Sequence, residues 1–278
     1  MIIHSDWHIH SENSYDATLT PEEIAKAAIE NGFRNVGITD HVNFNDEKFL
    51  TDLKNSAKNV GEAIKKYPFI VLGTELTPIE KPEFDYIAKH GTREGYVAPI
   101  SSEPFPIELA VTKDELVRLG VRYAIGASHW RVDKGAGDRD ETDLNACIKE
   151  WYRQQLFLAC DERVTVLGHP WYHGKSLWYQ DFSVIPHSMN MEIAAALKEN
   201  GKYVECNSGM ICAGSASEKF KHQYGEFLRE LFEMGIPVTF GTDSHHSYSN
   251  AHLVAEKYLI AAGFRDGDIA EIKEKDLW

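Results

Sequence analysis

The chain opens with Asp6-Trp7-His8-Ile9-His10, two histidines at i and i+2 behind an aspartate at the same spacing. Comparable groups recur as Thr39-Asp40-His41, Gly73-Thr74-Glu75, Ser128-His129, Gly168-His169-Pro170, Glu205-Cys206-Asn207 and Gly241-Thr242-Asp243-Ser244-His245. Imidazole and carboxylate donors suit Zn²⁺, Fe or Mn²⁺. The four cysteines show no CxxC pairing, which disfavours a structural cysteine–zinc site. An HxH alone is a weak signal, and a lone histidine is more often a hydrogen-bonded core or surface residue. Chance placement does not explain why histidine follows one apolar run after another in a chain with 13 of them. Nine such donors are too many for one ion and suit two to three divalent ions (Zn, Fe or Mn). Three such ions bring about +6 against about −3 from Asp16, Glu75 and Asp243. That surplus favours a dianionic phosphate over a neutral amide and points to phosphoester hydrolysis.

These groups need elements that carry them to one place. Apolar, β-branched runs predict strands at 2–8, 35–40, 69–76, 123–128, 164–168, 203–206 and 238–241. Alternation places Asp6, His8 and His10 on one face of the first strand, with Trp7 and Ile9 on the other. Helix-period stretches follow in turn. Thr20-Pro21-Glu22-Glu23 supplies a cap, a proline at the first helical position and a carboxylate three residues on. The helix it starts has Ile24, Ala27, Ala28 and Ile29 as its inward face and stops at Gly32. Further helices are expected at about 46–66, 112–120, 141–160, 188–200, 217–234 and 250–262, with a second capping box at Thr112 and Glu115. Seven strand–helix units in alternation predict a parallel α/β sheet in a single domain, closed as a barrel or left open. No GxGxxG follows the first strand, which lowers the open dinucleotide-binding alternative. In a barrel every donor would sit at the carboxyl ends of the strands, where barrel enzymes build their sites.

Two stretches break the rhythm. Residues 77–111 hold five of the ten prolines, and residues 170–186 hold Trp171, Tyr172, Trp178, Tyr179 and Phe182. Both follow strand ends and are expected to be lid-like insertions.

Composition narrows the class. A net charge of −14 argues against extended nucleic acid and anionic membranes as partners, since both need clustered Lys and Arg. No apolar run approaches the length of a membrane span, and the first residues do not read as a signal peptide. With no disulfide-type cysteine density, a cytoplasmic location is expected.

The motifs DWHIH, SYDA with Asp16, ITDH, GTE, GASH, GHP and GTDSH, in this order, resemble those of the polymerase and histidinol phosphatase (PHP) family. The resemblance spans essentially the whole chain. It implies a distorted (β/α)7 TIM-like barrel with two or three metals and, for many members, phosphoester hydrolysis. Carried over residue by residue, His8, His10, Glu75 and Asp243 would hold a first ion. Glu75 would bridge to a second held by His129 and His169, and Asp16, His41 and His245 would hold a third. Where many relatives read S-D-G, this chain has Tyr15-Asp16-Ala17. Phe84 to His90 also looks like a strand ending in histidine, but its proline-rich setting reads as loop, so His129 is preferred as the ligand.

The expected chemistry is attack by a metal-bridging hydroxide on the phosphorus of a small phosphate ester, histidinol phosphate foremost. Asp243 or His245 could protonate the leaving group, although ligation competes with that duty. Arg131, beside the fourth-strand ligand, and Lys175 are candidate phosphate clamps. Trp130, Trp171 and His173 could wall the organic moiety, though Trp130 could equally cover the barrel rim. Asp6 and Asp40 are candidate partners for ligand imidazoles, His246 is a candidate neighbour, and Glu205 and Asn207 could line the pocket. His4, His187, His222 and His252 read as structural or exposed.

Two other classes compete. A metal-dependent amidohydrolase also begins with HxH, but the Ser128-His129 and Glu205-Cys206 strand ends match it poorly. A non-catalytic metal-binding module would be expected to have lost ligands, and none is missing.

Overall fold

A computed structural model of the chain describes residues 1–132, 143–172, 180–212, 214–248 and 250–278. The helices begin where the local chemistry directs. Thr20 accepts from the Glu23 amide while Glu23 accepts from the Thr20 amide, and Pro21 occupies the first turn of α1 (Pro21–Glu30). Its buried face is Pro21, Ile24, Ala25 and Ala28, at i, i+3, i+4 and i+7. Ala27 is only half-buried, and Ile29 lies one position past that stripe and is 56% exposed. Asp46 caps α2 (Glu47–Lys66), and Thr112 with Glu115 forms the second capping box, at α4 (Lys113–Arg118). Each such cap is worth about 1 kcal/mol. The remaining long helices are α5 (Leu144–Cys160), α6 (His187–Glu199), α7 (Glu218–Glu233) and α8 (Ala251–Ala261).

Seven strands form one parallel sheet in sequential order: β1 (Ser5–Ile9), β2 (Asn35–Ile38), β4 (Ile70–Leu76), β7 (Tyr123–Gly126), β8 (Val166–Leu167), β9 (Tyr203–Asn207) and β10 (Val238–Gly241). The two-residue β3 (His41–Val42) adds to β4. Residues just past β10 close the ring onto β1: the Asp243 amide donates to the His8 carbonyl at 2.7 Å and the His10 amide to Ser244 at 3.0 Å. The result is a nearly closed, distorted (β/α)7 TIM-like barrel in one domain, as the alternation implied.

The barrel interior is plugged by Trp7, Tyr123, Ile125, Ala127, Val166 and Tyr203. Tyr123 fits there because Gly37 and Gly73 flank it: a Cβ at Gly37 would lie 1.7 Å from its hydroxyl oxygen. The strict alternation expected for β1 does not hold. Its register against β2 slips between Asp6 and Ile9, as at a bulge. Trp7 joins the inner plug edge-on to Tyr123, while Asp6 bonds Thr242 and Tyr248.

The proline-rich stretch contains more structure than a loop. It holds β5 (Ile79–Glu80) and β6 (Ile107–Glu108), which pair antiparallel, with α3 (Lys81–His90) between them. Pro82 stands in the first turn of α3 and Gly91, at φ 75°, ends it. His90 is therefore the last residue of a helix, exposed and stacked on Tyr86. Of 170–186, residues 173–179 lie outside the described residues, and Phe182 packs in the core against Trp171, Phe220 and Phe227.

Candidate metal centre

The ends of the strands deliver imidazoles and carboxylates into one cluster, sealed at His8, His10 and Glu75. His8 Nε2, His10 Nε2, Glu75 Oε2 and Asp243 Oδ1 form the deepest group. His8 and His10 are 3.2 Å apart; His8 is 3.5 Å from Glu75 and 3.5 Å from Asp243; His10 is 3.4 Å and 3.2 Å from the same two. A tetrahedral ion with bonds of about 2.0–2.1 Å needs donor–donor edges of about 3.3–3.4 Å, and His8, His10 and Asp243, 3.2–3.5 Å apart, are spaced as one face of such a shell. Glu75 turns its other oxygen, Oε1, toward His129 Nε2 at 3.3 Å and His169 Nε2 at 3.1 Å. Asp16 Oδ2, His41 Nε2 and His245 Nε2 make a third triangle with sides of 3.4, 3.6 and 3.5 Å. His41 Nδ1 also lies 2.7 Å from Glu75 Oε2, which couples this triangle to the deeper group. All nine residues singled out from the sequence meet here. His90 does not.

Several observations fit resident cations. Glu75 Oε2 and Asp16 Oδ1 are buried without a hydrogen-bond partner. Among the described residues no lysine or arginine pairs with Glu75, Asp16 or Asp243. Buried carboxylates without compensating charge are costly, and divalent ions supply that charge. Burial works against the charged forms of Glu75 and Asp243, yet the surrounding imidazoles hold both carboxyls well below their usual range. Burial likewise lowers His8, but Glu205, Asp243 and Glu75 raise it well above normal. His41 is pushed up to about 10, burial being outweighed by Glu75 and Asp16, whereas burial beside His41 and His245 brings His10 down to about 3. Metal entry must therefore displace protons from some of these imidazoles.

The partners of the imidazoles differ from expectation. Asp6 and Asp40 do not touch a ligand ring. Asp6 accepts from the His8 and Thr242 amides, and Asp40 accepts from the Ser11 amide and hydroxyl and from Ser56. They brace the backbone of the ligand-bearing segments instead of the ligand rings. Glu205 takes the orienting role instead. Its Oε1 accepts from His8 Nδ1 at 2.7 Å, and its Oε2 accepts from the His169 amide at 2.5 Å and from Asn207 at 3.3 Å. Gly241 makes room for this pair: a Cβ there would meet Glu205 Oε1 at 2.0 Å and His8 Cβ at 2.4 Å. His245 Nδ1 donates to the Asp243 carbonyl at 2.9 Å. Thr77 and Asn43, which sequence reasoning passed over, stand behind His129. Polar residues at strand ends were the available signal, but spacing could not pair them.

Backbone strain marks two donors. His169 (φ 24°) and Asp243 (φ 55°) are the non-glycine residues with positive φ among the described residues, a sparsely populated region that recurs at functional sites.

The remaining candidates scatter. Arg131 is buried, with its guanidinium 4.0 Å from the Cys147 sulfur of α5. Trp171 is a core residue: its indole donates to Asn190 and packs on Phe182, Tyr224 and Phe227. The turn after His169 sends the next side chain, Tyr172, toward the ligands instead, its ring edge-on to His169 at 5.4 Å. Trp130 stacks on Phe44 at the rim beside His129. His246 approaches Thr18, His4 pairs with Asp266, and His252 packs on Phe33. His173 and Lys175 lie outside the described residues.

A parallel barrel with imidazole and carboxylate donors clustered at the carboxyl ends of its strands is the architecture of a metal-dependent barrel hydrolase. The PHP domain model matches residues 6–209, and the chain belongs to the PHP domain family. A protein of Acetivibrio thermocellus described as a probable phosphatase is 26% identical over 245 residues, covering 87% of this chain and 80% of its own. The crystal structure of histidinol phosphate phosphatase from Lactococcus lactis, solved with zinc, L-histidinol and phosphate, has the same fold. It superposes with a TM-score of 0.68 at 18% identity, over 96% of this chain and 98% of that one. No described helix is long and apolar enough to cross a membrane.

Proposed function

We propose that the protein hydrolyses a small phosphate ester with the help of two or three divalent ions. The observation that carries this reading is the convergence of nine imidazole and carboxylate donors: seven form overlapping clusters, His169 lies beside Glu75, and Asp16 lies beside His41 and His245. His8, His10, Glu75 and Asp243 would hold one ion. Glu75 with His129 and His169 would hold a second, and Asp16, His41 and His245 a third. Bound Zn, Mn or Fe ions supply Lewis acidity and a water ionised near neutral pH. With about +6 of metal charge against about −4 from Asp16, Glu75, Glu205 and Asp243, the pocket suits a phosphate dianion.

The chain's own residues supply the rest. Glu205 fixes the tautomer of His8, so that Nε2 keeps its lone pair for the ion. The donors grow more exposed in one direction: His8, His10 and Glu75 are sealed, while the His129, His245 and Asp16 side chains are 16%, 24% and 33% exposed. Substrate would therefore enter over His129, His245 and Asp16, with Trp130 and Tyr172 beside the organic group. Asp243 and His245 remain the candidate proton donors to the leaving oxygen, and Arg131, His173 and Lys175 candidate contacts to the ester.

Among esters, histidinol phosphate is the leading substrate, since the structural relative of matching length was solved with L-histidinol and phosphate. The test is phosphate release from a panel of monoesters and diesters by protein loaded separately with Mn²⁺, Zn²⁺ or Fe²⁺, against a chelator-stripped control. Turnover of one monoester far above the rest supports the reading. Metal-loaded protein no faster than the stripped control on every ester would abandon it and move amide hydrolysis or a binding role ahead.

A further inference from the structure

The imidazoles of the cluster are oriented by partners of very different strength. His8 Nδ1 faces a carboxylate, Glu205, at 2.7 Å. His245 Nδ1 faces a backbone carbonyl at 2.9 Å. His129 Nδ1 faces only a hydroxyl, Thr77 Oγ1, at 2.9 Å. That hydroxyl has one proton, and it is committed to Asn43 Oδ1 at 2.6 Å. Thr77 and Asn43 are both buried, so water does not compete for these bonds. With its proton engaged, Thr77 can only accept from His129. His129 must then carry its hydrogen on Nδ1 and turn the lone pair of Nε2 toward Glu75 Oε1, 3.3 Å away. A carboxylate partner raises the basicity of a ligand imidazole more than a neutral hydroxyl does. Among the described residues the other imidazole beside Glu75 Oε1, His169, has no hydrogen-bond partner for Nδ1, and neither has His10.

We propose that Thr77, held by Asn43, is a positioning residue that fixes the tautomer of His129, and that an ion at the Glu75–His129–His169 site consequently exchanges more readily than one at the sealed His8–His10–Asp243 site. The inference rests on the metal-centre reading above, but not on the identity of the ester. Two features set it apart from the deepest site: none of its imidazoles has a carboxylate behind it, as His8 has Glu205, and the His129 side chain is 16% exposed whereas His8 and His10 are sealed.

The test uses the full chain, stripped and then titrated with Co²⁺. Visible absorption and elemental analysis count the ions bound and the affinity of each. In the wild type, one equivalent is expected to leave first under a mild chelator. Thr77→Val should weaken one equivalent about 10–100-fold and leave the tightest equivalent at wild-type affinity. Thr77→Ser, which keeps the hydroxyl, should restore it. Asn43→Ala frees the Thr77 proton to donate to His129 Nδ1, which moves the imidazole hydrogen to Nε2, and should weaken the same equivalent. It also serves as the independent variant should Thr77→Val fail to fold. Wild-type affinities in both variants, equal loss of every ion, or failure of Thr77→Ser to rescue would overturn the proposal. A wild type that binds no ion overturns it together with the metal-centre reading. Normal ion binding with no phosphatase turnover sinks only the proposed reaction.

Discussion

Glu205 provides the most direct check on how this cluster is held together. Its two oxygens accept from three donors: His8 Nδ1 at 2.7 Å, the His169 amide at 2.5 Å and Asn207 Nδ2 at 3.3 Å. Glu205→Gln preserves the shape but leaves one acceptor oxygen. Whichever way the new amide turns, its NH₂ confronts a donor, either the His8 ring or the His169 amide. At least one charge-assisted hydrogen bond is lost, a loss of about 1.5–3 kcal/mol. At about 1.4 kcal/mol per tenfold, metal affinity should fall roughly 10–150-fold. The assay is competition for Zn²⁺ against a chromophoric chelator, with the thermal unfolding of stripped wild type and variant compared as a control for folding. An affinity within about twofold of wild type, in a variant that folds normally, would refute the claim that Glu205 orients His8.

Gly241→Ala places a methyl 2.0 Å from Glu205 Oε1 and 2.4 Å from His8 Cβ. It should cost about 1–3 kcal/mol of stability and reduce ion occupancy, read by urea unfolding and elemental analysis. Ion removal itself should destabilise the fold. Holding free metal at 100 times Kd contributes about 2.7 kcal/mol, so chelation should lower Tm by about 5–10 °C at about 2–4 °C per kcal/mol, and scanning calorimetry would show it. Thr20→Ala removes a capping box whose hydrogen bonds involve none of the nine donors. It should lose about 1 kcal/mol with ion affinity unchanged; a drop in affinity would mean that α1 is coupled to the site.

The sequence carried the scaffold because its signals are local. Thr20 and Thr112 with their carboxylates start helices, and β-branched runs mark the strands, so all seven barrel strands and the long helices lie where periodicity placed them. Eight of the nine donors were legible for a related reason: each terminates a strand or follows one closely, and a parallel barrel brings such ends together, whereas Asp16, in the loop after β1, was marked by the family resemblance. What escaped the reading depended on geometry that spacing does not encode. Asp6 bonds the His8 amide and Thr242 instead of the imidazole it was expected to orient. Glu205 reaches His8 across the barrel from a residue 197 positions away. Trp171 and Tyr172 are adjacent in sequence, yet one is core and the other faces the ligands. Proline-rich residues 77–111 read as loop because proline ends helices, whereas Pro82 occupies the first turn of α3, where its missing N–H does no harm.

The same few groups that orient the donors also hold the strain in the backbone that presents them. His169 and Asp243 sit at positive φ, at a cost of about 1–3 kcal/mol each. The amide of each strained residue is caught by a short bond: His169 by Glu205 Oε2 at 2.5 Å and Asp243 by the His8 carbonyl at 2.7 Å. Glu205 thus orients one ligand ring with one oxygen and pins a strained ligand backbone with the other. The His8 peptide closes the barrel through Asp243 while its ring faces the deepest donor group. Closure of the barrel and placement of His8, His169 and Asp243 therefore rest on the same bonds. A lesion at Gly241 or Glu205 should weaken both together, whereas a lesion at Thr77, which touches neither strained amide, should loosen one ion and leave the barrel closed.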